Sequence, residues 1–320
     1  MRSGFRNPSA SPSHANRERL AGASAWLVTL IPVLLGGGIL LTLVIRSLPL
    51  LERSSLAGML LGQEWAPSRG VFGFRPFIAG TAWVTTLAVL LAVPPCLLTA
   101  LYLSEYAHRS LRLLVKPLLD LLAAIPSVVY GVWGMLVIVP WVADHLLPLV
   151  NTFAGHIPLL STSNPTGFGI LSGALVLAVM IAPFIIAVSC EVLDGVPRGV
   201  RQAGLALGAT RWQVVKSGIL PMALPGLFAG VVLGASRALG ETMAVLMVVG
   251  NLARLPHSIL DPAYPLTALI ANNFGEMMSI PLYDSALMAA ALLLLVIVLA
   301  FNMASTLILR RLMGRVHRSW

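Results

Sequence analysis

Six apolar blocks, each long enough to cross a lipid bilayer, decide what this chain can fold into. They run at about 24–45, 80–103, 118–141, 169–189, 224–249 and 286–309. The first, from Ser24 to Ile45, would be about 33 Å long at the helical rise, which matches a hydrocarbon core of ~30 Å. Only 10% of the residues are charged and 58% are hydrophobic, so there is no polar shell for a water-soluble fold. The expected class is all-α, a polytopic membrane protein with six transmembrane helices.

A net charge of +9 raises the question of nucleic acid, and the distribution of the charge answers it. With the N-terminus placed in the cytoplasm, fifteen basic residues fall inside and five outside. The inner group includes Arg17 and Arg19, the 104–116 loop (Arg109, Arg112, Lys116), the 190–220 loop (Arg198, Arg201, Arg211, Lys216) and Arg310, Arg311, Arg315 and Arg318. Such an excess is the positive-inside signature of topology, with both termini cytoplasmic. No nucleic-acid partner is expected; membrane lipid is.

The domain reading follows from these blocks. Residues 1–23 are expected to form a disordered cytoplasmic tail, 24–310 the transmembrane domain and 311–320 a basic cytoplasmic tail. Residues 1–23 do not read as a cleavable signal, because the apolar run behind them is too long and the small-residue stretch precedes it. Cys96 lies inside the second block and Cys190 at the cytoplasmic end of the fourth, placements that support neither a disulfide nor a metal site.

Two external segments, 46–79 and 250–285, are long. The second carries Pro256, Pro262, Pro265 and Pro281, so it cannot be one helix. Leu266, Leu269, Ile270 and Phe274 suggest short elements on the membrane surface, serving either a docking face or packing over the bundle. In the third block, Pro126 is followed by Ser127, Tyr130, Gly131, Trp133 and Gly134. A lipid-facing helix would not need that mixture, so Ser127 and Tyr130 are candidates for lining an interior pathway.

The fifth block holds Arg237 and Glu241. A charge at mid-membrane costs at least ~2.5–3.5 kcal/mol on insertion scales and usually marks a pathway. On a continuous helix, residues four apart share a face and can partly neutralise each other. The expectation is a site that meets an anion and releases it; the alternative is a structural ion pair. Gly226, Gly230 and Gly234 repeat every fourth position beside the pair, a stripe that lets another helix approach closely.

The cytoplasmic 190–220 loop is the most specific segment. Arg201-Gln202-Ala203-Gly204-Leu205-Ala206-Leu207-Gly208 leads to Thr210-Arg211-Trp212-Gln213 and then to Ile219-Leu220-Pro221. This spacing predicts two short helices meeting at Gly208, where a left-handed backbone is permitted. Thr210 with Gln213 fits a capping box opening the second helix.

The segment resembles the "EAA" coupling loop of binding-protein-dependent ABC importer permeases. Gln202, Ala203, Gly204 and Gly208 occupy its first positions, and Ile219-Leu220-Pro221 its end. Gln202 stands for the usual glutamate and Gly204 for the second alanine. Two further runs, Ile125-Pro126-Ser127-Val128-Val129-Tyr130-Gly131-Val132-Trp133-Gly134 and Arg237-Ala238-Leu239-Gly240-Glu241-Thr242-Met243-Ala244-Val245, look like the PstC family of phosphate transport permeases. The resemblance covers about residues 75–311.

It implies a type I ABC importer permease fold in a bacterial cytoplasmic (inner) membrane. It further implies a transporter subunit without catalytic residues, with Arg237 and Glu241 serving phosphate passage. The implied partners are a homologous PstA-like permease, a dimeric PstB-like ATPase and an external PstS-like phosphate-binding protein. The chain contains no Gly-x-x-x-x-Gly-Lys-Ser/Thr run, the phosphate-cradling loop of P-loop ATPases. No cofactor is therefore expected on this chain, ATP and Mg being placed on the partner ATPase. The other expectations to separate are a sulfate or molybdate permease, a proton-coupled secondary transporter using Glu241, and a membrane relay of phosphate status.

Overall fold

Prolines shape the long helices of this chain, and the helices adapt around them. A computed structural model describes residues 12–153, 157, 159–162, 164–275 and 280–316. Helix α1 (Pro12–Arg53) is followed by α2 (Leu56–Leu61), a small hairpin of β1 (Trp65–Ala66) and β2 (Val71–Phe72), then α3 (Arg75–Glu105) and α4 (Arg109–Ala124). Next come α5 (Ser127–Trp133), α6 (Val139–Trp141) and α7 (Leu147–Phe153), joined into one rod by π-helical turns at Gly134–Ile138 and Val142–Leu146. Helices α8 (Ile170–Asp194), α9 (Arg198–Ala206) and α10 (Arg211–Val214) follow, the last running through a π turn at Val215–Ile219 into α11 (Leu220–Gly240). The chain ends with α12 (Met243–Val248), α13 (Leu266–Asn273) and α14 (Tyr283–Val316).

The three π turns share a cause. A proline ring collides with the carbonyl four residues back and offers no N–H to it. For Pro140, Pro148 and Pro221 that carbonyl belongs to Leu136, Asp144 and Ser217, each inside one of the π turns. The wider turn makes room for the ring, so the rods continue instead of breaking.

Six helical stretches are long and apolar enough to cross a membrane: Val28–Arg53, Arg75–Glu105, Ser127–Val150, Ile170–Asp194, Arg211–Gly240 and Tyr283–Arg311. At the centre, α8 packs along α3, with α11, α12 and α5 around them. Their core joins Ala88, Ala92, Leu177, Ile181, Ala244 and Val248. A second core lies under the hairpin and α13, where Phe74, Phe77, Leu266 and Leu269 are almost fully buried. A third joins the ends of α3 and α8 to the start of α11 through Leu193, Val215 and Ile219.

Several expected boundaries move. The third block is not one helix over 118–141: it breaks at Ile125-Pro126, with α4 before it and the Ser127 rod after it. Pro126 cannot continue α4, and the residue before a proline is pushed into the extended region; Ile125 has ψ 130°. The fifth block does not run through 224–249, because the rod starts at Arg211 and stops at Gly240. The N-terminal tail is helical from Pro12 and the C-terminal tail to Val316; residues 1–11 and 317–320 lie outside the described residues. In the 250–285 segment, Leu266 and Leu269 pack over the bundle, while Phe274 is exposed.

Candidate functional site

The mid-membrane charges occupy a helix break. Arg237 is in the last turn of α11, and Glu241 follows the helix end with extended backbone (φ −70°, ψ 132°). One Glu241 carboxylate oxygen, Oε1, accepts from the backbone N–H groups of Thr242 at 3.0 Å and Ala244 at 3.2 Å. Its own carbonyl accepts the Thr267 hydroxyl at 2.8 Å. Glu241 therefore caps the start of α12, where a carboxylate meets free N–H groups and the positive helix end.

This corrects the expectation of an Arg237–Glu241 pair on one helix face. Among the described residues the two form no ion pair. The physical reason is that the helix ends between them, so the four-residue spacing no longer places them side by side. Arg237 is exposed in the single chain, its guanidinium carbon 5.9 Å from the centre of the Phe184 ring. Phe184 lies within α8, ~21 Å from that helix's first residue and ~15 Å from its last at a rise of ~1.5 Å per residue. The guanidinium is thus near mid-depth, on a face its own chain leaves open.

The glycine stripe explains how α11 comes so close to α8. A Cβ on Gly226 would lie 2.5 Å from Val192, on Gly230 3.0 Å from Val188, and on Gly234 2.6 Å from Ile185. The stripe is therefore a contact within this chain, and it turns Arg237 toward the Phe184 side of α8. Ser127, half-buried, opens α5. Tyr130 is buried, and its hydroxyl donates to the Leu122 carbonyl at 2.9 Å, bridging the Pro126 break. That hydroxyl is engaged in structure, although the ring lies within electrostatic reach of Arg237.

At the other end, the 190–220 loop folds as its sequence predicts. Gly208 has φ +79°, the left-handed conformation that favours glycine. Thr210 and Gln213 exchange both bonds of a capping box. A Cβ on Gly204 would sit 2.7 Å from Val214, so the glycine standing for alanine lets α9 and α10 approach more closely. Gln202 and Ala203 are exposed on α9.

Sequence reasoning missed two features here. Leu207, beside Gly208, is 89% exposed, and Trp212 is also exposed; apolar residues flanking a tight bend outside the apolar blocks were the available signal. The second is Arg201, which makes paired hydrogen bonds to Glu105 at 2.7 and 3.2 Å. Those bonds hold the Arg201 guanidinium above its ordinary pKa, against the smaller opposing effect of burial. Nothing local announces this partnership, since the two residues are 96 positions apart.

Residues 96–318 match the family described as "Binding-protein-dependent transport system inner membrane component". The phosphate transport system permease protein PstC of Xylella fastidiosa strain 9a5c is 40% identical over 252 residues, covering 78% of this chain and 77% of its own. PstC of Haemophilus influenzae is 38% identical over 299 residues, 92% of each chain. Among solved structures, the inward-facing MetNI methionine ABC transporter superposes with TM-score 0.53 at 21% identity, over 74% of this chain and 94% of that one. A bacterial ABC transporter importing the acidic polysaccharide alginate gives TM-score 0.56 at 19% identity, over 92% and 99%. These two show the type I importer permease fold. With a family match over most of its length and relatives this similar, the chain belongs to the inner membrane components of binding-protein-dependent ABC importers, in the PstC family of permeases.

Proposed function

We propose that this chain is the PstC-type permease subunit of an ATP-driven importer that carries inorganic phosphate across the cytoplasmic membrane. The names of its relatives support the substrate. The observation that carries the mechanism is Arg237, a guanidinium at mid-depth on a face its own chain leaves open. Such a charge does not face hydrocarbon. Another chain covers it, and the homologous PstA-like permease supplies that cover, so that Arg237 lines the seam between the two.

A guanidinium offers a planar fork that matches two phosphate oxygens. Glu241 serves this site by fixing the break that ends α11 at Gly240, in the turn that carries Arg237, so the cation is held in place without a carboxylate on it. The two termini are cytoplasmic. A PstB-like ATPase dimer, which carries the ATP and Mg, receives the α9–α10 bend with Leu207 and Gly208 at its tip, and a PstS-like protein delivers phosphate outside.

The test is uptake of labelled phosphate by proteoliposomes holding the complete complex, with ATP inside and the loaded binding protein outside. Uptake requires both, and Arg237→Gln removes it while the complex still assembles. Uptake that persists without ATPase would replace this reading with a secondary transporter. Preference for sulfate or molybdate in competition would replace the substrate. A reporter active only outside the cytoplasm should be silent at the C-terminus and active near Asn151 or Asp261.

A further inference from the structure

The cytoplasmic end of the bundle is stapled by charge. Asp194, last residue of α8, accepts Ser104 of α3 at 2.8 Å and pairs with Arg112 and Lys116 of α4 at 3.6 and 3.3 Å. Arg112 also donates to the Ser104 carbonyl. The ends of α3, α4 and α8 are thereby one block. Helix α9, which carries the docking bend, is joined to that block through a single polar side chain. Among the described residues, Arg201 is the only α9 side chain that hydrogen-bonds to α3 or α8.

All three of its guanidinium nitrogens are engaged. Nε and Nη2 hold the Glu105 carboxylate at the end of α3, Nη2 also donates to the Leu193 carbonyl of α8 at 2.8 Å, and Nη1 donates to Val196 in the α8–α9 turn at 2.6 Å. The side chains are 23% and 10% exposed, so this is not a solvated surface pair of the kind that contributes little. A cation that satisfies the last carbonyls of one helix and a carboxylate ending another fixes three elements relative to each other. The other contacts of α9 are apolar: Gly204 lies against Val214 of its own hairpin, and Val200 packs on the core that includes Leu103 and Leu193, contacts that carry no directional bond.

We infer that Arg201 is a positioning residue that, with Glu105, transmits displacement of the α9 coupling helix into α3 and α8, and so links ATP hydrolysis to movement of the transmembrane helices. This rests on the reading that the α9–α10 bend docks on an ATPase. A docking helix bound only by apolar contact would slide when the ATPase closes. The Arg201 fork converts that shift into a pull on two helix ends, as buried packed elements transmit discrete rearrangements.

The experiment uses the reconstituted complex and the double variant Arg201→Met with Glu105→Met, which keeps the volume apolar and leaves no charge unpaired. ATPase should co-purify in wild-type ratio and basal hydrolysis should persist. Stimulation by phosphate-loaded binding protein should fall roughly tenfold, within the usual range of coupling between sites. Arg201→Lys should give an intermediate stimulation, since an ammonium cannot serve the carboxylate and two carbonyls in one plane. Wild-type stimulation in the double variant overturns the inference. Loss of ATPase co-purification also overturns it, because the pair would then shape the docking surface; failure of the permease to insert would reduce it to a structural pair. If the unmodified chain shows no ATPase association at all, the docking reading itself has failed, which is a different result.

Discussion

Arg237 and Arg201 are the same residue type put to opposite uses. At the α9 end of the bundle, all three guanidinium nitrogens of Arg201 are engaged by Glu105 and by backbone carbonyls. At mid-depth, Arg237 forms no ion pair among the described residues and lies beside the Phe184 ring, while the nearby carboxylate of Glu241 is turned to backbone N–H groups. A satisfied arginine ties elements together. An arginine left open at a depth where its charge is costly is available to something that comes and goes. On the two proposals made above, the contrast assigns transmission and cargo by bond inventory instead of by position in the chain.

The largest expected effect tests the open arginine. Arg237→Gln should bring phosphate uptake to background with the complex still assembled, and Arg237→Lys should recover part of it. Adding Glu241→Gln should restore nothing, because the carboxylate is not the arginine's partner. Uptake near the wild-type rate in that double variant would falsify the substrate role.

Next in size is Gly208→Val, at the docking bend that Arg201 braces. A β-branched residue at φ +79° is strained by roughly 1–2 kcal/mol or more. Co-purification of the ATPase should be lost while the permease remains in the membrane. Retention of both docking and stimulated hydrolysis would show that the bend is not the contact.

Gly234→Ala probes the packing that holds Arg237 in place. Its new Cβ would lie 2.6 Å from Ile185, and overpacking of this kind costs typically 1–3 kcal/mol. Thermal stability in detergent should drop, and the companion change Ile185→Ala should return part of it. The smallest effect is assigned to Glu241→Gln in stability alone, about 1 kcal/mol for a weakened helix cap. A loss as large as that of a broken buried ion pair, about 3–5 kcal/mol, would mean that Glu241 does compensate Arg237.

Much of this was legible before any coordinates. The six blocks, the glycine stripe, the Gly208 bend and the Thr210–Gln213 box are local patterns, and local patterns survive into the fold. What escaped were relations that depend on where a helix stops. Gly240-Glu241-Thr242 sits inside an apolar run, so periodicity carried the helix through it. The available sign was a carboxylate three residues ahead of Ala244, the spacing of an N-cap. The Pro126 break lies inside an apolar block expected at about 118–141, and hydropathy alone carries one span across it. The Arg201–Glu105 partnership joins residues 96 apart, a separation no periodicity encodes.

The π turn at Val215–Ile219 has a mechanical consequence. By accommodating Pro221 without a break, it leaves Arg211–Gly240 as a single strut. From Arg211 to Arg237 that strut is about 39 Å long at ~1.5 Å per residue, so a tilt of about ten degrees about its lower end would swing the guanidinium by about 7 Å. If the α9–α10 bend docks as proposed, a displacement too small to unpack it would be geared up into one wider than a phosphate ion at the far end.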